Sequence, residues 1–330
     1  MIKGTILVKP DIWIKGFRED VNIMSFSKIK MLGKTFKISN TIDDSKPPQA
    51  ESTCIIMYTS GTHTNITFSP SEYIFVGSTG TPKGVVVSHR NLVNAVNSYL
   101  FQFNNITITA MDRFIAYLPL AHVLELVAEN TMLVLGFGIG YSSPNTLTDK
   151  STMIRTGGKG DAIVLKPTVM FAVPLVLERI YKGIQANVKK KCELFEKVFD
   201  YCVHYKIVAT HCGEITPIMD ALIFKSITKL IGGRLRAIFS GGAPLSPATH
   251  ENIRACMCCP ILQGYGLTET AACVTVMGMD ENSTGRVGPP CQGISIRLDN
   301  REEGNYRVTD TQGPRGEIVI GGANVTEGYY

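Results

Sequence analysis

The feature that most limits how this chain can fold is a repeated alternation of apolar runs with helical patterns. "CIIMYTS" (54–60) reads as a buried strand. "SHRNLVNAVNSYLFQF" reads as a helix with Ser88 as its N-cap. "DRFIAYLPLAH" is a strand entering a loop, and "VLELVAENTMLVLGFG" a helix with a glycine stop. "DAIVLKPTVMFAVPLVLERIYKGI" gives strand, proline, helix; "PIMDALIFKSITKLIGG" a helix with a glycine stop. "LRAIFSGGAP" is a strand ending in a glycine turn, "ATHENIRACM" a helix, and "CPILQGYGLTET" again strand then loop. Strand, loop and helix in this order imply an α/β fold of mostly parallel sheets flanked by helices. Such sheets bind ligands at the carboxyl ends of their strands. Informative residues should therefore follow apolar runs, as "GSTGTPKG", "YLPLAH", "SGGAP" and "GYGLTE" do.

The flanks differ in texture. Residues 1–50 are weakly patterned: "TILVKPD" predicts a strand, "SFSKIKMLGK" a short helix, and "DDSKPPQAES" (43–52) a surface linker. The α/β core is expected over 51–284. From residue 285, "GRVGPPCQGISIRLDN" and "GEIVIGGANVTEGYY" predict a small antiparallel β-rich subdomain. With 330 residues, 44% hydrophobic and 18% charged, the chain is globular rather than disordered. Its net charge of +5 suits anionic ligands such as nucleotides without calling for a nucleic-acid surface. Lys189, Lys190 and Lys191 read as a solvated helix face. The nine cysteines show no metal spacing, and "CMCCP" (256–260) reads as reduced thiols in a buried strand, which favours a reducing compartment. "TMLVLGFGIGY" (131–141) is too short to cross a bilayer and reads as a helix end followed by a buried strand. The Asn-x-Ser/Thr matches at Asn65, Asn105, Asn282 and Asn324 follow no signal peptide and carry little weight.

Two loops carry chemistry. In "GSTGTPKG", small residues let backbone N–H groups approach an anion, Ser78, Thr79 and Thr81 add hydroxyls beside Gly80, and Lys83 adds positive charge. The order Pro82-Lys83-Gly84 differs from the Gly-Lys-Ser/Thr of a P-loop NTPase. In "QGYGLTE", Gly264 and Gly266 flank Tyr265, whose ring can stack on a base. Thr268 offers a hydroxyl, and Glu269 is an oxygen ligand suited to Mg²⁺. "SGGAP" adds a tight turn at a strand end. His122 has two readings, a structural histidine after a strand or a site residue. His89 either caps or packs the helix start, and Arg286 either anchors a turn or serves the site.

"YTSG", "GSTGTPKGV", "YLPLAHVLE", "GGAPLS", "QGYGLTET", "TGRVG" and "GEIVIGG" stand in the order seen in the adenylate-forming superfamily. With "LPLAHVLE" and "GYSSPNTL" (140–147), the chain resembles the long-chain fatty-acid–CoA ligases of animals over roughly residues 20–330. The resemblance implies a two-step reaction. A long-chain fatty-acid carboxylate attacks the α-phosphate of Mg·ATP, and the thiol of coenzyme A then displaces AMP. It also implies roles. Ser78, Thr79, Gly80, Thr81 and Lys83 handle pyrophosphate; Gly242, Ala243 and Pro244 lie along the adenine; Gly264, Tyr265 and Gly266 hold base and ribose. Thr268 touches the α-phosphate, Glu269 binds Mg²⁺ and His122 lies near the acyl carboxylate. The resemblance further implies membrane-surface association, at the cytoplasmic face of the endoplasmic reticulum or on lipid droplets. Nucleic acid is not an expected partner.

The chain departs from that pattern in three places. It is expected to be incomplete at both ends, lacking an N-terminal portion with its membrane anchor and a C-terminal lid. The phosphate loop is also interrupted: removing Thr62–Gly77, "THTNITFSPSEYIFVG", restores Tyr-Thr-Ser-Gly-Ser-Thr-Gly. The piece reads either as translated intron or as a genuine insertion. "EYIFVG" either replaces "CIIMYTS" as the strand or bulges outward while that strand holds. Impaired ATP handling is expected in both cases. The alternatives to a ligase are a non-catalytic nucleotide- or acyl-binding fragment, self-associating through an exposed sheet edge, and another adenylating enzyme of luciferase-like or peptide-synthetase type.

Overall fold

The computed structural model describes residues 5–8, 22–25, 31, 47–59, 67–68, 73–75, 82–104, 106–311 and 313–330. The chain divides into two compact units, Met1–Pro48 and Gln49–Tyr330. In the first, β1 (Thr5–Val8) and β2 (Asn22–Ser25) pair in parallel. All but one residue of the helix expected at "SFSKIKMLGK" lies in β2 or outside the described residues.

The second unit opens with β3 (Thr53–Tyr58) and, beyond the interrupted loop, β6 (Gly84–Ser88). These pair antiparallel, Met57 opposite Val85 and Tyr58 opposite Gly84. "CIIMYTS" is thus a half-buried strand in a two-stranded sheet with β6 rather than the buried strand expected, since that small sheet leaves it partly open. It keeps its pairing in spite of the interruption. Thr59 N donates to Lys83 O at 3.0 Å, and Lys83 N to Thr59 Oγ1 at 3.1 Å. Within the interruption, β4 (Thr67–Phe68) and β5 (Tyr73–Phe75) form a short hairpin. β6 leads into α1 (His89–Phe101), where Ser88 is the expected N-cap and closes a capping box with Asn91.

The main sheet follows: β7 (Arg113–Ala116), α2 (Val123–Val134), β8 (Gly138–Tyr141), α3 (Asp161–Leu165), β9 (Val169–Ala172), α4 (Pro174–Lys189), α5 (Glu193–His211), a helical stretch over 217–231, β10 (Ala237–Ser240), α6 (Pro247–Met257), β11 (Ile261–Tyr265) and β12 (Thr275–Val276). The strand order is β12-β11-β10-β9-β7-β8. Five strands run parallel and β12 antiparallel at one edge. Three expectations shift. "DAIVL" is the helix α3, since short apolar runs do not tell helix from strand. β8 is an edge strand with Tyr141 exposed. Cys256 lies in α6 and Cys258 is its left-handed C-cap, so the "CMCC" thiols end a helix rather than fill a strand.

Period-2 alternation divides each strand between two cores. Phe114, Phe171, Phe239 and Leu262 face α1 and α2. Ile115, Met170, Ile238 and Ile261 face α4, α5 and α6. Phe171 and Phe239 stack at 4.7 Å between centroids, and Tyr99 meets Phe171 edge-on at 5.9 Å. At the opposite edge of the sheet, Arg236 Nη1 bonds both oxygens of the buried Asp112 at 3.1 Å.

β13 (Ile294–Asp299) and β14 (Glu317–Gly322) supply the expected antiparallel sheet, to which β5 and β4 are added in the order β13-β14-β5-β4. After β14 the chain returns to α1 and to the loop after β11. Asn91 Nδ2 donates to Ala323 O and Val325 O at 3.0 and 2.8 Å. Asn324, fully buried, donates through Nδ2 to Thr270 O at 2.7 Å and Cys273 O at 2.5 Å. Asn324→Ala removes both N–H donors: Cys273 O loses its hydrogen bond, and Thr270 O keeps only the one from Cys273 N. We expect a loss of about 3 kcal/mol of stability, measured as a fall in the urea midpoint.

Candidate functional site

The carboxyl ends of β7, β9, β10 and β11 surround a cavity of about 240 Å³. Register explains the convergence. Ser240 stands level with Ala172 on one side and Gln263 on the other, so the loops leaving these strands begin at one height. The deep wall is apolar: Tyr99, Phe171, Phe239 and Leu262. The mouth is lined by His122, Gly242, Gly264, Tyr265, Gly266, Thr268 and, from β3, Tyr58. Ser240 Oγ is buried against this cavity without a hydrogen-bond partner.

The loop 264–273 is shaped by contact with its own far end. A Cβ at Gly266 would stand 2.2 Å from Ala272 O, so only glycine allows that approach. Ala271 and Ala272 both take left-handed backbone angles, φ 47° and 62°. This sharp return turns Glu269 inward to 1% exposure. Its Oε1 accepts from Tyr329 Oη at 2.9 Å, while Oε2 is buried with no partner. Burial and the Glu269 charge raise the phenols of Tyr265 and Tyr329, so both stay protonated. Lys83 reaches the same ring, its Nζ 4.9 Å from the Tyr329 centroid.

His122 is the N-cap of α2: Leu124 N donates to its Nδ1 at 3.2 Å, and the residue lines the cavity. The residue is exposed at the rim, and partial desolvation by the surrounding protein lowers its imidazole below the usual value, which favours the neutral form at pH 7. Ala243 and Pro244 are exposed and stand outside the cavity wall. Ser78, Thr79, Gly80 and Thr81 lie outside the described residues. His89 begins α1, and Arg286 is exposed.

A bound Mg²⁺ needs oxygen ligands, several of which come from water and phosphate. Among the described residues no group of three acidic, histidine or cysteine side chains gathers to hold a metal. The unpartnered Oε2 of Glu269 fits a cation brought in with phosphate, a single protein ligand rather than a preformed cage.

The sequence reading missed Tyr329, Ser240, Tyr58 and Glu125. The first three stand on segments whose neighbours are distant in sequence. Glu125 lies one turn beyond His122, fully buried, with neither oxygen bonded. Burial and then the nearby Glu129 push its carboxyl up to about 8.

The sequence comparisons agree with this geometry. The profile of the AMP-binding enzyme family matches residues 76–330. The chain belongs to that family. Long chain acyl-CoA synthetase 8 of Arabidopsis thaliana is 39% identical over 317 residues, covering 94% of this chain and 41% of that protein. Long-chain-fatty-acid–CoA ligase 2 of Schizosaccharomyces pombe is 37% identical, covering 96% of this chain and 42% of that protein. The chain thus spans about two-fifths of the length of these curated relatives, and they bear out its resemblance to long-chain fatty-acid–CoA ligases, though not the animal branch in particular. Among solved structures, O-succinylbenzoate coenzyme A synthetase of Bacillus subtilis, in complex with ATP and magnesium ion, shares the fold with a TM-score of 0.60. It is 20% identical, over 99% of this chain and 52% of that one.

Glu125 gives the AMP-binding fold a pH signature. Its folded-state value lies above the 4.5 of an unperturbed glutamate, so the folded chain holds the proton more tightly than the unfolded one. That stabilisation is complete below about pH 4.5 and is lost as pH rises towards about 8. Glu125→Gln, neutral at every pH, should flatten this decline. Thermal unfolding recorded at about pH 5 and about pH 8 checks it.

Proposed function

We propose that this chain carries the nucleotide and acyl-carboxylate site of an ATP-dependent long-chain fatty-acid–CoA ligase. The observation that carries the reading is the cavity itself: an aromatic wall leading to a mouth lined by Gly264, Tyr265, Gly266 and Thr268, with the buried Glu269 next to Thr268 in the chain. The apolar depth suits an acyl group and the glycine-lined mouth an adenylate. Gly242, Gly264, Tyr265 and Gly266 would pack along base and ribose, with Ala243 and Pro244 beyond the wall. Thr268 would donate to the α-phosphate. Neutral His122 would present Nε2 to the acyl carboxylate. Lys83, with Ser78, Thr79, Gly80 and Thr81, would neutralise and guide the departing pyrophosphate. Glu269 would hold Mg²⁺, which supplies charge neutralisation on the phosphates. Chemistry of this kind depends mainly on positioning and electrostatic stabilisation. Coenzyme A would accept the acyl group in the second step.

Membrane-surface association, location at the endoplasmic reticulum or lipid droplets, and self-association belong to the same proposal. The support for the first two is the likeness to long-chain ligases, and for self-association the exposed sheet edge expected from the sequence. Among the described residues no helix is long and apolar enough to cross a membrane.

The interruption at Thr62–Gly77 favours a second reading, a non-catalytic binder of nucleotide or acyl chain. The β3–β6 ladder holds on both sides of it, yet "YIF" pairs with β14 instead of rejoining the hairpin. The pairing of "YIF" elsewhere separates the phosphate-loop sequence from β3, and productive geometry tolerates only about half an ångström. Deleting residues 62–77 should strengthen MgATP binding at least about tenfold, which is about 1.4 kcal/mol, as read by titration calorimetry. It should also raise pyrophosphate exchange that depends on a long-chain fatty acid. Equal affinity in both forms overturns the interruption as the cause. No ATP binding by either form overturns the ligase reading.

A further inference from the structure

One tyrosine joins two site residues that are far apart in sequence. Tyr329 donates from its hydroxyl to Glu269 Oε1 at 2.9 Å, and its ring faces Lys83 Nζ at 4.9 Å. Backbone pairing fixes the ring in this place. Val86 N donates to Gly328 O at 3.1 Å and Tyr330 N to Gly84 O at 2.7 Å. Val85 and Tyr329 form an antiparallel bridge. Residues 328–330 therefore run as an added strand along the start of β6, beginning one residue after Lys83. The same segment is tied to the glutamate's own loop, where Thr326 N donates to Glu269 O at 2.9 Å and Asn324 to Thr270 O at 2.7 Å. The side chain of Tyr329 thus spans two backbones that are each held independently.

The two oxygens of Glu269 are unequal. Oε1 is engaged by the phenol, and Oε2 is buried without a partner. A neutral donor orients a carboxylate and leaves its charge in place, whereas a lysine in that position would cancel the charge a cation needs. The ring face meanwhile attracts the Lys83 ammonium without consuming any of its N–H donors.

We propose that Tyr329 is a positioning residue: it holds Oε1 of Glu269 so that Oε2 is presented to a nucleotide-borne divalent cation, and it steers Lys83 towards the phosphates. This inference rests on the ATP-site reading above. The test is ATP binding by the full chain, measured by calorimetry with excess Mg²⁺ and again with EDTA. Tyr329→Phe keeps the ring and removes the hydroxyl. It should weaken MgATP binding about tenfold, the scale of one hydrogen bond to a charged group, and leave metal-free ATP binding unchanged. Tyr329→Leu removes the ring as well and should weaken metal-free binding too, by about threefold. Thermal unfolding of each variant shows whether the fold persists. Wild-type-like MgATP binding by Tyr329→Phe overturns the proposal. So does a loss equal in Mg²⁺ and in EDTA, which marks a general structural effect. If the wild-type chain binds ATP equally with and without Mg²⁺, this inference alone fails. If it binds no ATP at all, the ATP-site reading fails and takes this one with it.

Discussion

The carbonyl oxygen of Ala272 stands where a side chain at position 266 would begin. That approach lets "GYGLTETAAC" fold back on itself within a few residues, and the organisation of the sheet's carboxyl edge depends on it. The return forces two alanines into left-handed backbone angles, a cost of order 1–3 kcal/mol each borne only because surrounding packing fixes them. Ala271 lies fully buried, and Cys273 and Val274 beside it are core residues. In exchange the loop places Thr268 at the cavity mouth and Glu269 under the segment that follows β14. A side chain at 266 would open the loop and separate those two residues from everything they meet.

From that loop the contacts run outward in a short circuit. Glu269 meets Tyr329, Tyr329 faces Lys83, and Lys83 is bonded through its backbone to Thr59 at the end of β3. Thr59 and Lys83 close the hairpin across the interruption. The site is therefore assembled from three backbones, the hairpin, the β11 loop and the segment after β14. The parallel sheet serves as the platform that levels them, with stacked Phe171 and Phe239 filling the floor.

Much of the platform was legible in the sequence because its signals are local. Ser88 as N-cap, the glycine stop after α2 and the strands "RFIA", "VMFA" and "AIFS" each follow from a few adjacent residues. What was not legible depended on partners elsewhere. "CIIMYTS" looks like a sheet strand until β6 claims it. "DAIVL" is too short for its period to decide. Cys256 and Cys259 of "CMCC" are as buried as a strand would make them and Cys258 less so, but a helix ends there. At the site, Gly264, Tyr265, Gly266 and Thr268 do line one cavity, since they share a loop, while Glu269 is buried behind it. Ala243 and Pro244 fall outside it because the turn after Gly242 carries them to the surface. Glu125 could not be read as buried from composition, since a glutamate on a helix is ordinarily solvated. Tyr329 escaped notice because its partners lie 60 residues or more away in the chain.

Asn324 shows what such distant contacts do to a sequence motif. Asn324-Val325-Thr326 has the spelling of a glycan acceptor, yet the side-chain nitrogen that would carry the sugar already gives its hydrogens to Thr270 O and Cys273 O. All three residues are buried. A sugar could reach that nitrogen only on a chain that had not yet folded, and once attached it would prevent the β14 segment from docking. The spelling is a by-product of packing, and any modification found there would report the age and fate of the chain rather than its use.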